Sequence, residues 1–458
     1  MTPVDRSRLP EVGPDPVFRF PRIERRRLTN GLEVRTVVHE SAPVVSMALL
    51  VRGGLGADPA GKEGLAGLTA DMLDEGTGAL SAIDVSDALS RIGGDYEVEV
   101  GSDATTISLT TLERFGDRAA ELLADLVLRP ALRDTDFARV RKLRLDRLAQ
   151  LRTVPQALAE NAFDRLLYGD HPYGHMAIGT TASLGTLELS DVVQFHAATF
   201  QPQRSTCVMV GPGTHEALAA RAERAFGAWR PTVSDASIRV ASAVPPPRPS
   251  TARRAIVRRE GAAQSELRIG HLSATRTGPD YSALLVMNAV LGGQFVSRVN
   301  LKLREEKGFT YGAHTGFDWR CGLSPFALEA SVHTSSTAEA ITDSLRELVD
   351  IRGTRPPSAD ELSLAKASLT RGYPRGFETA DQLAGAAITL ALYDLPDEYF
   401  EQFMPKIAAV TGEDVVRVAT QYLDPGVMTT LVVGDAAVIG DSLDALGLGP
   451  WQELPGEL

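Results

Sequence analysis

The strongest constraint on this chain is that part of it is written twice. Asp191-Val-Val-Gln-Phe-His-Ala-Ala-Thr-Phe-Gln-Pro202, followed by Cys207-Val-Met-Val-Gly211, returns as Asp414-Val-Val-Arg-Val-Ala-Thr-Gln-Tyr-Leu-Asp-Pro425 and Thr430-Leu-Val-Val-Gly434. Asp191 and Asp414, Pro202 and Pro425, and Gly211 and Gly434 share one spacing, 223 residues. A spacing that holds across a helix, a Pro turn and a strand argues for duplication, and duplication sets the domain count. Between the copies, Val244-Pro-Pro-Pro-Arg-Pro-Ser250 cannot continue a helix or a sheet and reads as a stiff extended linker. The expected division of the 458 residues is an N-terminal extension over 1–20, a first domain over 21–235, the linker over 236–251, a second domain over 252–445 and a C-terminal tail over 446–458.

Within the first half, residues 32–38 and 44–52 read as strands joined by a turn at Pro43. Residues 63–75 place Leu65, Leu68, Met72 and Leu73 on one helical stripe that stops at Gly76. Ser81 with Asp84 three residues on starts a second helix, and Gly93-Gly94 ends it. A hairpin over 96–100 and 105–112 follows, then helices over 115–128 and 134–152. Strands followed by helices and a final strand predict an α+β fold: two tandem homologous domains, each a mostly antiparallel sheet with helices packed on one face.

Charge and cysteine content narrow the function. Lys and Arg number 47 against 59 Asp and Glu, a formal net charge of −12, which disfavours a role that neutralises nucleic-acid phosphates. Cys207 and Cys321 are the two cysteines, too few for a disulfide framework or a Cys-rich zinc module. The polar, Pro-broken N-terminus lacks the apolar core of a secretory signal, and apolar runs such as 44–51 are too short to cross a bilayer. A cytoplasmic protein that touches neither membrane nor nucleic acid is expected.

The framing Gly64-Leu-Ala-Gly67-Leu-Thr-Ala70-Asp71-Met-Leu, after two strands, resembles the start of the M16 family of insulinase, pitrilysin and the mitochondrial processing peptidase. That resemblance implies the M16 fold and an H-x-x-E-H helix, in which two imidazoles hold one zinc and the Glu takes a proton from the metal-bound water. Here the three positions fall on Gly67, Ala70 and Asp71, and none can do that work. The remaining family ligand, a Glu on a later helix, falls near Asp146 or Arg147. Asp71 and Asp146 could form a weak carboxylate site, but an oxygen-only pair does not make a catalytic zinc centre. His171-Pro-Tyr-Gly-His175 spaces two imidazoles by four, yet Pro172 and Gly174 predict a buried turn rather than a helix. The chain itself is expected to bind no cofactor.

The second half keeps more. Leu291-Gly-Gly-Gln-Phe-Val-Ser-Arg-Val-Asn300, followed by Leu303-Arg-Glu-Glu-Lys-Gly-Phe-Thr-Tyr311, resembles the family's second-domain signature. The resemblance makes Arg304 and Tyr311 the pair that faces the zinc across the active cleft. A guanidinium and a phenol are fixed donors suited to a peptide carbonyl and to the oxyanion formed when water attacks it. The resemblance matches residues 101–106 to the family's substrate-holding edge strand, where a peptide adds by β-augmentation. Shortly after Gly93-Gly94, where the family has an Asn-Ala pair, this chain has Glu97-Val98.

Half a catalytic centre implies a partner. The expectation is the non-zinc subunit of a heterodimeric M16-type metallopeptidase, inactive alone, with a zinc-bearing M16 homologue as partner and a peptide as substrate. The alternative is a non-catalytic scaffold or peptide-binding relative in a larger assembly.

Overall fold

The computed structural model describes residues 18–231 and 253–456. The Pro-rich linker expected over 236–251 and residues 1–17 lie outside the described residues.

Each half forms a six-stranded sheet. In the first, the strands run Ile23–Arg27, Glu33–Val38, Ser205–Gly211, Val44–Arg52, Ala104–Leu112 and Asp95–Val100. In the second they run Thr310–Phe317, Pro325–His333, Gln264–Leu272, Thr429–Gly434, Arg254–Arg258 and Gln452–Leu454. Read in opposite directions, the two orders coincide over their inner strands, so the duplication seen in one short motif extends across both halves. Pairing is mostly antiparallel. The first sheet has one parallel pair, Glu33–Val38 with Ser205–Gly211, and its counterpart joins Arg254–Arg258 to Thr429–Gly434.

The outermost strands break the repeat. Ile23–Arg27 pairs antiparallel with the strand that follows it, whereas Gln452–Leu454 pairs parallel with Arg254–Arg258. The segment expected to be a tail over 446–458 therefore closes one edge of the second sheet. At the other end of the chain, residues 18–20, assigned above to an extension, join the packing. Phe20 lies 5.0 Å from the Phe400 ring, and Phe18 lies 4.9 Å from Phe377.

Along Val44–Arg52 the pleat sends Val45, Met47, Leu49 and Val51 to one face, against the helices Gly116–Leu128 and His215–Phe226 of the same half. Ala48 and Leu50 point the other way, onto the helix Ala380–Leu392 from the second half. That helix presents Ala380, Ala384, Ala387 and Ala391, spaced to share one face, so its backbone approaches the sheet closely. The reciprocal contact is made by Pro155–Tyr168 of the first half. It covers Gln264–Leu272 and Thr429–Gly434, where Leu431 and Val433 face it and Val432 faces the second half's own core. Each sheet is thus covered by its own helices on one face and by a borrowed helix on the other.

The local start and stop signals hold with one shortening. Ser81 and Asp84 form the capping box expected for Ala82–Arg91. The helix expected over 63–75 is Leu65–Asp71. It begins after Gly64 at φ +88° and closes where the Met72 and Leu73 amides turn back to Thr69 and Ala70 oxygens, the tighter pattern of a final turn.

The helix exchange predicts that neither half folds by itself. The segment 18–231 expressed alone would expose Ala48, Leu50, Val208 and Val210, all buried in the full chain. It should bind a hydrophobic dye and melt without a cooperative transition, while the full chain melts in one. A cooperative melt of the isolated half would contradict this packing.

Candidate functional site

The helix Leu65–Asp71 occupies the position where the resemblance puts metal chemistry, and its start is firmly held. The buried Asp58 carboxylate accepts the Gly64 and Ala66 amides, each at 2.7 Å, and His175 Nε2 at 3.0 Å. Burial outweighs these partners and raises the Asp58 pKa. The other imidazole of the 171–175 turn points elsewhere: His171 Nδ1 accepts the Tyr173 amide, and its ring packs against Tyr168 and Tyr173. Burial lowers its pKa. The two histidines do not converge.

Gly67 faces helix Asp134–Leu151 across a space already filled. A Cβ on Gly67 would stand 2.3 Å from the Ala177 carbonyl oxygen and 2.5 Å from Arg144 Nη2. The Arg144 guanidinium, 11% exposed, donates through Nη1 to the Asp71 carboxylate and through Nη2 to the Ala177 oxygen. Ala70 is buried and carries no donor atom. The positions where the family has two imidazoles and a carboxylate therefore hold a bound guanidinium.

Asp71 and Asp146 pair with separate cations, Arg144 and Lys142. Asp146 lies on the exposed side of its helix, 2.6 Å from Lys142 one turn back, and Arg147 turns to Gln150. Among the described residues no three His, Cys, Asp or Glu side chains come together as a possible metal site.

Arg304 and Tyr311 sit in a different environment. Helix Tyr281–Leu291 ends at Gly292, whose carbonyl accepts the Thr315 amide of the strand Thr310–Phe317. Glycine is needed there because a Cβ would lie 2.4 Å from Thr315 Oγ1 and 2.6 Å from its backbone nitrogen. The Ser-Arg of the signature is a clamp. Arg298, nearly buried, donates twice to Glu361, at 2.6 and 2.8 Å, and to the Arg355 and Pro356 carbonyls. These contacts hold the Glu361 carboxyl down to about 2.

Beyond Arg298 the backbone widens into a π turn over Leu301–Glu306, a local irregularity common at functional sites, and Gly308 reverses the chain at φ +64°. The Arg304 guanidinium lies 4.4 Å from the centroid of the Phe295 ring. Tyr311 follows on a β-bulge, where the register slips between Thr310 and Ala313, and is 90% exposed. Among the described residues neither Arg304 nor Tyr311 makes a side-chain hydrogen bond within the chain; Arg304 Nε has a loose ion pair with the exposed Glu305 carboxylate at 3.7 Å.

A cavity of about 900 Å³ lies between the halves. Its lining includes Glu97, Glu99, Asp103, Asp318 and Asp381 with Arg320 and His175, but neither Arg304 nor Tyr311. Burial pushes Asp164, beside Arg320, up to about 6. Asp103 ties the halves together by accepting the Tyr173 hydroxyl and the Cys321 amide. The sheet edge beside the cavity is Asp95–Val100, whereas Ala104 already belongs to the neighbouring interior strand. The assignment of 101–106 to the edge is corrected to 95–100.

Residues 34–181 match the family described as Insulinase (Peptidase family M16), and residues 186–369 match the Peptidase M16 inactive domain. The chain belongs to the M16 peptidase family. Among M16 relatives, an uncharacterised zinc protease of Mycobacterium leprae is 25% identical over 87% of this chain and 89% of its own length. Zinc protease PqqE of Helicobacter pylori is 23% identical, covering 90% and 93%. A solved M16 inactive domain from Pseudomonas fluorescens shares the fold with a TM-score of 0.83 at 24% identity, over 90% of this chain and 98% of that one. A protease from Helicobacter pylori gives 0.82 at 20% identity, over 91% and 100%.

Sequence reasoning missed Arg144, although it stands two residues before Asp146. It also missed the Asp58–His175 support, for which no local spacing gives a signal.

Two outcomes follow for this M16 chain. Gly67→Ala forces a methyl group against a backbone carbonyl and the Arg144 guanidinium, and should cost about 1–3 kcal/mol in denaturant melts. Unchanged stability would mean that this space is open. Glu361, depressed from 4.5 to about 2, contributes stability that is present above 4.5 and is lost as the pH falls toward 2. The stability gap between wild type and Glu361→Gln should therefore narrow across that window, and a constant gap would deny the Arg298 clamp its charge.

Proposed function

We propose that this chain is the non-zinc subunit of a heterodimeric M16 metallopeptidase and supplies Arg304 and Tyr311 to the peptide bond being cut. The observation that carries this reading is the contrast between the two halves. At Gly67, Ala70 and Asp71 the family's ligand positions are closed by Arg144, while Tyr311 is exposed on a bulge and Arg304, on a braced turn, is held among the described residues by no hydrogen bond, only by the Phe295 ring and a loose ion pair to Glu305.

Zinc on the partner would activate the attacking water. This chain's work is electrostatic. The Arg304 guanidinium and the Tyr311 hydroxyl donate to the carbonyl oxygen of the scissile amide and hold it as negative charge builds. Peptide is the expected substrate, and the relatives named as zinc proteases support that class. No helix among the described residues is long and apolar enough to cross a membrane. Cys207 and Cys321 are free thiols, which suits a reducing cytoplasm.

Non-catalytic peptide binding in a larger assembly is the competing reading, favoured by the strand Asp95–Val100, which pairs on one side only. Co-expression with a zinc-bearing M16 homologue from the same genome separates the two. Arg304→Ala and Tyr311→Phe should leave assembly intact by size analysis and lower peptide turnover on the order of a hundredfold each. Full turnover in both variants would reject the assigned roles and leave the scaffold reading.

A further inference from the structure

Two features of the Arg304–Tyr311 region need an explanation that the signature does not give. Arg304 is stacked on a ring, Phe295, that is itself 62% exposed and so is not fixed by core packing. Tyr311 sits on a bulge, and a bulge releases backbone groups from the ladder. An amide released beside a core and left without a partner is costly.

One buried side chain answers both. Asn300, 4% exposed, donates through Nδ2 to the Phe295 carbonyl at 2.7 Å and accepts the Ala313 amide through Oδ1 at 3.0 Å. Ala313 is where the register resumes after the bulge. The Phe295 carbonyl belongs to the loop that carries the ring beneath Arg304. A short side chain ending in both a donor and an acceptor is required to bridge these groups, and Asn provides it. Within the bulge, Thr310 Oγ1 accepts the Gly312 amide and donates to the Gly312 carbonyl, so Tyr311 is flanked by side-chain bonds on both sides.

We propose that Asn300 is a positioning residue for the carbonyl-binding pair: one amide fixes the Phe295 loop under Arg304 and holds the bulge that turns Tyr311 out of the strand. This rests on the functional reading of Arg304 and Tyr311. Asn300 touches neither side chain and acts through the loop and the bulge.

Two measurements test it. In the isolated chain, Asn300→Ala should speed hydrogen exchange at the Ala313 amide about tenfold or more, with the Thr315 amide, held by the Gly292 carbonyl, as an unchanged control. Asn300→Asp keeps the acceptor and should retain Ala313 protection. Unchanged Ala313 exchange in Asn300→Ala overturns the proposal, whatever the activity. In the complex with the zinc-bearing homologue, assayed on internally quenched peptides, Asn300→Ala should lower kcat about tenfold with KM within about twofold. Added to Tyr311→Phe or to Arg304→Ala, it should cost less than about twofold more. An equal loss in every background marks a general structural defect and overturns the proposal. If the exchange result holds but Arg304→Ala and Tyr311→Phe keep full turnover, the carbonyl-binding reading fails, and with it the purpose assigned to Asn300.

Discussion

The structure depends on an exchange of helices. A sheet with apolar side chains on both faces must be covered twice, and each half supplies helices enough to cover one face. Ala380–Leu392 and Pro155–Tyr168 cross over to close the two open faces. Burying a Leu or Val side chain stabilises by roughly 1.5–3 kcal/mol, so these shared cores make the halves one folding unit rather than two domains on a tether. The cavity between them is a product of the same exchange: its walls include Ala384, Ile388 and Leu392 from one crossing helix and Glu160 and Asp164 from the other.

On this common frame the two halves have diverged in opposite ways. In the first, Gly67 and Ala70 carry no donor atoms, and the room left by Gly67 lets Arg144 reach Asp71 and the Ala177 carbonyl. A cation fixed there by two hydrogen bonds opposes a second cation, so the substitution is more than an absence of ligands. In the second half, polar contacts accumulate around the Gly-Gly loop. Gly292, Arg298 and Asn300 each spend their hydrogen bonds on backbone or on one carboxylate, and the result is a loop, a π turn and a bulge set relative to one another. Arg304 and Tyr311 take no hydrogen bond from this network, Arg304 keeping its ion pair with Glu305.

What was legible in the sequence was local. The strand 44–52 and the Ser81 capping box follow from spacing within a few residues, and the duplication from one short motif repeated at a fixed offset. The crossing of Ala380–Leu392 was not legible, because an Ala-rich apolar helix announces that it is buried without saying against which sheet. Arg144 was passed over because side-chain type was weighed before direction. Two residues along a helix is a rotation of about 200°, which puts Asp146 at the surface when Arg144 faces inward. Asn300 passed unnoticed because a bulge depends on pairing with a distant strand, Pro325–His333, and leaves no periodic trace.

The proposed function requires that this polypeptide bind no zinc at the helix Leu65–Asp71 and recognise a carbonyl through Arg304 and Tyr311. Zinc content of the purified chain, measured after equilibration with excess zinc and removal of the loose fraction, tests it most directly. Far less than one zinc per chain is predicted, with no rise in melting temperature on adding the metal. One tightly held zinc per chain would contradict it, because Arg144 would then have to leave the Asp71 carboxylate and some set of ligands would have to gather that the described residues do not show.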